Sequence, residues 1–384
     1  MIAQRVQSFG TTIFSEINTL AQQYNAVNLG QGAPDFASPP LVLAALEKAL
    51  HTPHHQYAPG WGYPQLQEAV ADHAKRFYSM NVDPTREVLI TVGATEGIFS
   101  TMMGLINPGD EVIVFEPFYD SYVPSITMAG GVPRYIPLHP PEWQFDRDEL
   151  KSLFSERTRA ILLNTPHNPT GKIYTRDELE FIAELCQKHD VIAVTDEVYE
   201  HIVFDGCQHI RLATLPGMEK RTVTISSLGK TFTVTGWKIG WTIGTNPLVT
   251  GIFRARQFIS FAVASVLQWA AIEILQAPDS YFVELQEIYW KKRDYLFHSL
   301  QETPLKPLLP QGGYFIMTDT SALNPENDRA LAEYLIKEIG VACIPPSAFY
   351  SDAHRFLARH LARFSICKKD DTLHTAVERL KGLR

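Results

Sequence analysis

The sequence predicts an α/β protein with a large domain, whose mostly parallel central sheet lies between helices, and a smaller α+β domain built from the N- and C-terminal segments. Three observations carry this. From Glu87 onward, short β-branched runs alternate with longer helical patterns. Turn and capping signals stand at the joints between them. After Pro278 the pattern changes to a long helix followed by mixed strands and helices.

In order, the runs are EVLITV and a helix from about Thr95, EVIVFEP and a helix around Tyr119, then RAILLNTP and TRDELEFIAELCQKH. VIAVTDEVYE, RTVTISSLGK and KIGWTIG complete the series. Asn107-Pro108-Gly109-Asp110 marks a turn, and Thr175 with Glu178 makes a capping box. Phe258 to Leu275 is the longest apolar stretch. Because Ser260, Ser265, Gln268 and Glu273 interrupt it, it is expected to be a buried helix and not a membrane span. The expected divisions are residues 1–45, packing with the small domain, 46–280 for the large domain, and 281–384 for the small one. GGYFIMTD, VACIP and ARFSICK supply the strands of the last.

The 384 residues suffice for two or three units with a substantial core. At 45% hydrophobic and 20% charged the chain is not of disordered composition. A formal charge of −8 argues against a surface built for nucleic acid. The N-terminus lacks the uninterrupted apolar region of a signal peptide, so a cytoplasmic location is expected. Cys186, Cys207, Cys343 and Cys367 form no CxxC pair and suggest neither a metal site nor a redox dithiol.

Ligands of open parallel sheets collect beyond the carboxyl ends of the strands. Lys230 follows VTISS there, and a lysine held desolvated loses basicity and can form a Schiff base with a carbonyl compound. Taken alone it reads more readily as an ordinary surface lysine in a helix-entry turn. Ser227 and Lys238 suit a dianionic phosphate, as do the amides of Gly93, Ala94 and Thr95 at a helix start. Asp196 ends a buried strand, where a carboxylate needs a cation, a hydrogen bond or a capping role. Asn168 and Tyr199 suit a ring hydroxyl, although the Asn-Pro-Thr-Gly run is equally a turn. Arg363 lies in an apolar strand and requires a carboxylate, from a substrate or from an internal acid.

NLGQGAPDF, QYAPGWGYPQLQEAV, NTPHNPTGK, VTDEVYEHI, SSLGKTFTVTGWKIGW and ARFSICK occur in that order over essentially the whole chain. Together they resemble the class I and II aminotransferases of fold type I, in the kynurenine and glutamine transaminase branch that includes bacterial methionine aminotransferases. The resemblance implies pyridoxal 5′-phosphate as cofactor, with Lys230 as its attachment point and proton carrier. It also implies Asp196 on the pyridine nitrogen, Asn168 and Tyr199 on the ring hydroxyl, and Phe118 stacked on the ring. Ser227 and Lys238, with Gly93, Ala94 and Thr95, are then expected at the phosphate, and Tyr63 reaches it from the second subunit of a homodimer. Gly32, Asn168 and Arg363 are expected at the substrate carboxylate. Lys238 departs from the usual Arg, keeping the charge but losing the fork.

The expected reaction moves an amino group from an amino acid to a 2-oxo acid by a ping-pong mechanism. No second arginine offers itself to a side-chain carboxylate. Phe14, Phe261 and Tyr314 beside the expected pocket favour large uncharged donors, methionine first and phenylalanine-like ones after. A cysteine-conjugate β-lyase on the same cofactor is the alternative within enzymes. A regulator's effector-binding domain is disfavoured, because the family-like region begins at Asn28, leaving little room for a DNA-binding module.

Overall fold

The computed structural model of the chain describes residues 2–383. In the large domain α2 (Pro40–Leu50) and α3 (Pro64–Tyr78) each begin on a proline, whose fixed φ suits the first helical turn. Then come β2 (Val88–Val92), α4 (Gly93–Leu105), β3 (Glu111–Glu116), α5 (Tyr122–Met128), β4 (Val132–Pro137) and α6 (Arg147–Leu153). They are followed by β5 (Thr158–Asn164), α7 (Arg176–His189), β6 (Ile192–Asp196), β7 (Thr222–Ser227) and α8 (Leu228–Thr231). β8 (Ile239–Ile243), α9 (Asn246–Arg256) and α10 (Ser265–Ile274) complete it. The capping box on α7 forms as read: Glu178 N donates to Thr175 Oγ1 at 3.2 Å and Thr175 N to Glu178 Oε2 at 2.8 Å.

The seven strands lie in the order β2-β8-β7-β6-β5-β3-β4. All pairings are parallel except those of β8, which runs antiparallel to both neighbours. β3 and β6 are buried along their whole length, as strands covered on both faces must be. The sequence reading passed over β4 and α6. VPRYIP carries two prolines and an arginine, a composition that only an edge strand tolerates, and β4 is the edge.

The long apolar stretch corrects another expectation, for only Ser265–Ile274 is helical. Phe261 takes φ +60°, which breaks a helix, and Phe258 and Phe261 are 87% and 55% exposed. Among the described residues no helix is long and apolar enough to cross a membrane.

The small domain holds β9 (Lys306–Leu308), β10 (Phe315–Asp319) and β12 (Leu361–Ser365) in an antiparallel sheet ordered β12-β10-β9. α12 (Asp328–Tyr334) and α13 (Asp370–Leu380) belong to the same part of the chain. β1 (Val27–Asn28) pairs in parallel with β11 (Val341–Ala342), joining the N-terminal segment to it. Ile13, Ile17 and Ala21 of α1 (Ile13–Gln23) pack in this core, whereas Val42, Ala45 and Ala49 of α2 pack in the large domain. α11 (Asp279–Gln301) spans both, with Tyr281 and Phe282 in one core and Leu285, Tyr289 and Leu296 in the other.

Candidate active site

The carboxyl ends of β2, β5, β6 and β7 open on one cavity of about 310 Å³, roofed by the N-terminal segment and β12. Lys230 enters it from α8, immediately after β7. Its Nζ donates to Tyr314 Oη at 2.8 Å, and that phenol donates to the carbonyl of Gly32 at 2.5 Å. Burial pulls the Lys230 ammonium down to a pKa of about 8, so a sizeable fraction is a neutral nucleophile near neutral pH. Gly32 has no room for a side chain: a Cβ there would stand 2.5 Å from the Phe315 ring.

Asp196, at the end of β6, is 4% exposed and pairs with no Lys, Arg or His among the described residues. Tyr122 donates to its Oδ2 at 2.7 Å. Burial raises its pKa to about 6, with the Tyr122 hydrogen bond opposing. This is a buried anion awaiting a cation. Tyr199 also lines the cavity, its pKa raised by burial, and its ring meets that of Tyr314 edge-on at 4.9 Å.

The first turn of α4 presents Gly93, Ala94 and Thr95 to the cavity, opposite Ser227 and Lys238. Gly93 takes φ +72°, and a Cβ on it would lie 3.3 Å from Lys238 Nζ. A missing side chain, an ammonium and a helix N-terminus thus form a cradle for an anion.

Arg363 is fully buried in β12 and has no carboxylate partner among the described residues. The internal ion pair left open by the sequence is not what holds it. Nη1 donates to Asn168 Oδ1 at 2.9 Å and Nη2 to Gly30 O at 2.8 Å, while Nε has no partner. The guanidinium lies 4.0 Å from the centre of the Phe315 ring, and burial lowers its pKa to about 10. A buried cation with an unspent donor, facing a cavity, calls for an external anion.

Four expected residues do not line this chain's cavity, among them Tyr63, which is expected to reach the site from a second subunit. Phe118 is buried beneath the site, its ring stacked on Tyr135 of β4 at 6.0 Å, and its neighbour Tyr119 takes the cavity wall. Phe261 is exposed and does not line the cavity. Tyr63 caps α3 beside Trp269, ring centres 5.3 Å apart, outside this chain's own cavity. Phe14 does line the cavity. Tyr314 is buried beneath Lys230, with its hydroxyl on Nζ. Sequence reasoning singles out Phe118 and Tyr119 together beyond β3 but gives the ring to Phe118, and it misses Tyr122, Gln31 and Phe315. Nothing in the order Phe118-Tyr119 tells which aromatic faces the cavity, since the choice is made by Tyr135 on an unforeseen edge strand.

A second polar cluster, His73, Glu200 and His201, has metal-ligand chemistry but is closed on itself. The two imidazole Nε2 atoms are 2.8 Å apart, and Glu200 receives Arg211 Nη2 and Ser226 Oγ, each at 2.6 Å.

The sequence matches the family described as aminotransferase class I and II over residues 24–380. It is 39% identical to kynurenine–oxoglutarate transaminase of Dictyostelium discoideum, with 100% of this chain and 96% of that protein covered. N-Succinyldiaminopimelate aminotransferase from Mycobacterium tuberculosis superposes with a TM-score of 0.96 at 41% identity, covering 100% of both chains. YbdL from Escherichia coli, identified as having a methionine aminotransferase function, does so with a TM-score of 0.95 at 36% identity over 100% of both.

The chain belongs to the class I and II aminotransferases. It is a fold type I enzyme that transfers amino groups with pyridoxal 5′-phosphate as cofactor. The cavity fits that group: the unpaired Asp196 suits a protonated ring nitrogen, and the cradle at Gly93 suits a phosphate.

Proposed function

We propose that the enzyme takes the amino group of a large uncharged amino acid, methionine first and phenylalanine-like donors next, and passes it to a 2-oxo acid by a ping-pong mechanism. The observation that carries the donor class is the cavity lining. Among the described residues its only charged ones are Asp196, Lys230, Lys238 and Arg363, all with tasks at the cofactor or the donor's carboxylate, and the remaining walls include Phe14, Ile98, Tyr119, Val198 and Phe315. A donor side-chain carboxylate would be desolvated there without a cation. The similarity to YbdL supports methionine as first choice.

In the same proposal, Ser227, Lys238 and the opening amides of α4 hold the phosphate, Asp196 the ring nitrogen, and Asn168 and Tyr199 the ring hydroxyl. When bound, the cofactor supplies an electron sink that makes the donor's α-hydrogen acidic. Lys230 Nζ takes that proton and delivers it, with Tyr314 and Gly32 fixing where the amine rests between transfers. Arg363 and Asn168, with Gly32, orient the donor's carboxylate.

A homodimer belongs to the reading too. Tyr57, Phe258, Ile259 and Phe261 are 84%, 87%, 42% and 55% exposed, and the rings of Tyr57 and Phe261 meet at 5.2 Å. An aromatic patch of this kind suits a second copy, whose cavity Tyr63 would then approach. A cytoplasmic setting suits the four free cysteines. Initial rates with a panel of donors test the donor class. Methionine and phenylalanine should exceed aspartate and glutamate at least about tenfold in kcat/KM, as expected for a desolvated, unpaired carboxylate. Equal or higher rates with the acidic donors would overturn it. Light scattering at twice the chain mass tests the dimer.

A further inference from the structure

Glu96 stands in the first turn of α4, the helix whose opening residues form the anion cradle. Its Oε2 accepts a hydrogen bond from Val92 N at 2.9 Å. A carboxylate there competes with any bound anion for the positive end of the helix, and being mostly buried it is poorly screened by solvent. Arg256, fully buried in the last turn of α9, answers that charge: its Nε lies 3.2 Å from Glu96 Oε1, which also receives Ser260 Oγ at 2.6 Å.

The meeting depends on close helix packing. A Cβ on Gly104 of α4 would lie 2.5 Å from the carbonyl of Gly251 in α9, so only glycine lets the two backbones approach closely enough. With residue 104 beside 251 and residue 96 beside 256, the helices run antiparallel and the end of α9 reaches the start of α4. Elsewhere on the guanidinium, Nη1 reaches two loops, donating to Gly60 O at 2.6 Å and to Phe261 O at 2.8 Å, while Nη2 has no partner among the described residues.

We propose that Arg256 is a positioning residue for the cofactor phosphate: it neutralises Glu96 so that the opening turn of α4 accepts a dianion, and it ties that turn to the Gly60 and Phe261 loops. This rests on the assignment of the Gly93 cradle to the phosphate. Arg256 does not line the cavity, so its effect reaches the phosphate only through Glu96 and the helix start.

The test is binding to the cofactor-free protein, with pyridoxal 5′-phosphate, inorganic phosphate and phosphate-free pyridoxal as probes. Arg256→Met should weaken pyridoxal 5′-phosphate and inorganic phosphate about tenfold, while pyridoxal changes less than about twofold. Adding Glu96→Gln should restore both phosphate probes to within about threefold, because the uncompensated charge is then gone. Glu96→Gln alone should tighten inorganic phosphate, and this keeps the question open to refutation if Arg256→Met fails to fold. Equal losses for pyridoxal and its phosphate, no recovery in the double variant, or weaker phosphate binding in Glu96→Gln would each overturn the role. A native protein that binds pyridoxal 5′-phosphate but is indifferent to inorganic phosphate would overturn the cradle assignment and this role with it.

Discussion

Tyr122 donates a 2.7 Å hydrogen bond to Asp196 Oδ2, the one side-chain hydrogen bond that this buried carboxylate receives among the described residues. Burial disfavours the anion and raises its pKa to about 6, and the phenol pulls the other way. Asp196 is useful to a protonated ring nitrogen only when ionised. Tyr122→Phe should therefore move the acidic limb of the pH–rate profile upward, by up to about one unit, and lower kcat/KM at pH 6 by up to about fivefold. An unmoved limb would mean that the phenol merely fills space.

Lys230 is shifted in the opposite sense, its ammonium lowered to a pKa of about 8 by burial. Between pH 8 and 10 its folded form holds fewer protons than the unfolded chain, so its contribution to stability rises with pH across that window. In the cofactor-free protein, acylation of Lys230 followed by mass spectrometry should titrate with a midpoint near 8. A midpoint near 10.5, the ordinary lysine value, would contradict the desolvated amine.

Arg363 is held by Asn168 Oδ1 and Gly30 O and, among the described residues, by no acid. Arg363→Ala should raise the KM of uncharged donors about 10- to 150-fold, the loss of a charged hydrogen bond of roughly 1.5–3 kcal/mol, with a smaller change in kcat. A KM unchanged across several donors would leave Arg363 with a structural task only.

Gly93 combines a left-handed backbone with contact to Lys238. Gly93→Ala should lower stability by about 1 kcal/mol or more in urea unfolding, and weaken pyridoxal 5′-phosphate more than pyridoxal. Equal weakening of the two would place the damage outside the phosphate cradle.

The sequence made the parallel strands legible, because β3, β6 and β5 from Ala160 onward are buried and so read as largely apolar runs. The polar residues at the carboxyl ends of β5, β6 and β7, Asn164, Asp196 and Ser227, fall in the cavity. What stayed hidden depends on partners distant in the chain. Phe118 and Tyr119 could not be told apart without β4, and β4 was masked by its prolines. Tyr314, read as a pocket wall, has its hydroxyl on Lys230 across 84 residues of chain, a contact that no local pattern encodes. Phe258 reads as part of a buried helix and Phe261 as a pocket wall because hydrophobicity alone does not distinguish either from a surface awaiting another chain.

The proposed reaction rests on Lys230 moving the proton that turns a large neutral amino acid into its oxo acid. It is tested most directly by the visible absorption spectrum of the cofactor-loaded enzyme as single amino acids are added with no oxo acid present. Methionine or phenylalanine should convert the cofactor to its amine form in one stoichiometric half-reaction, and Lys230→Ala should bind the cofactor weakly without making that conversion. Full conversion by Lys230→Ala, or a native spectrum that no neutral donor alters, would contradict it.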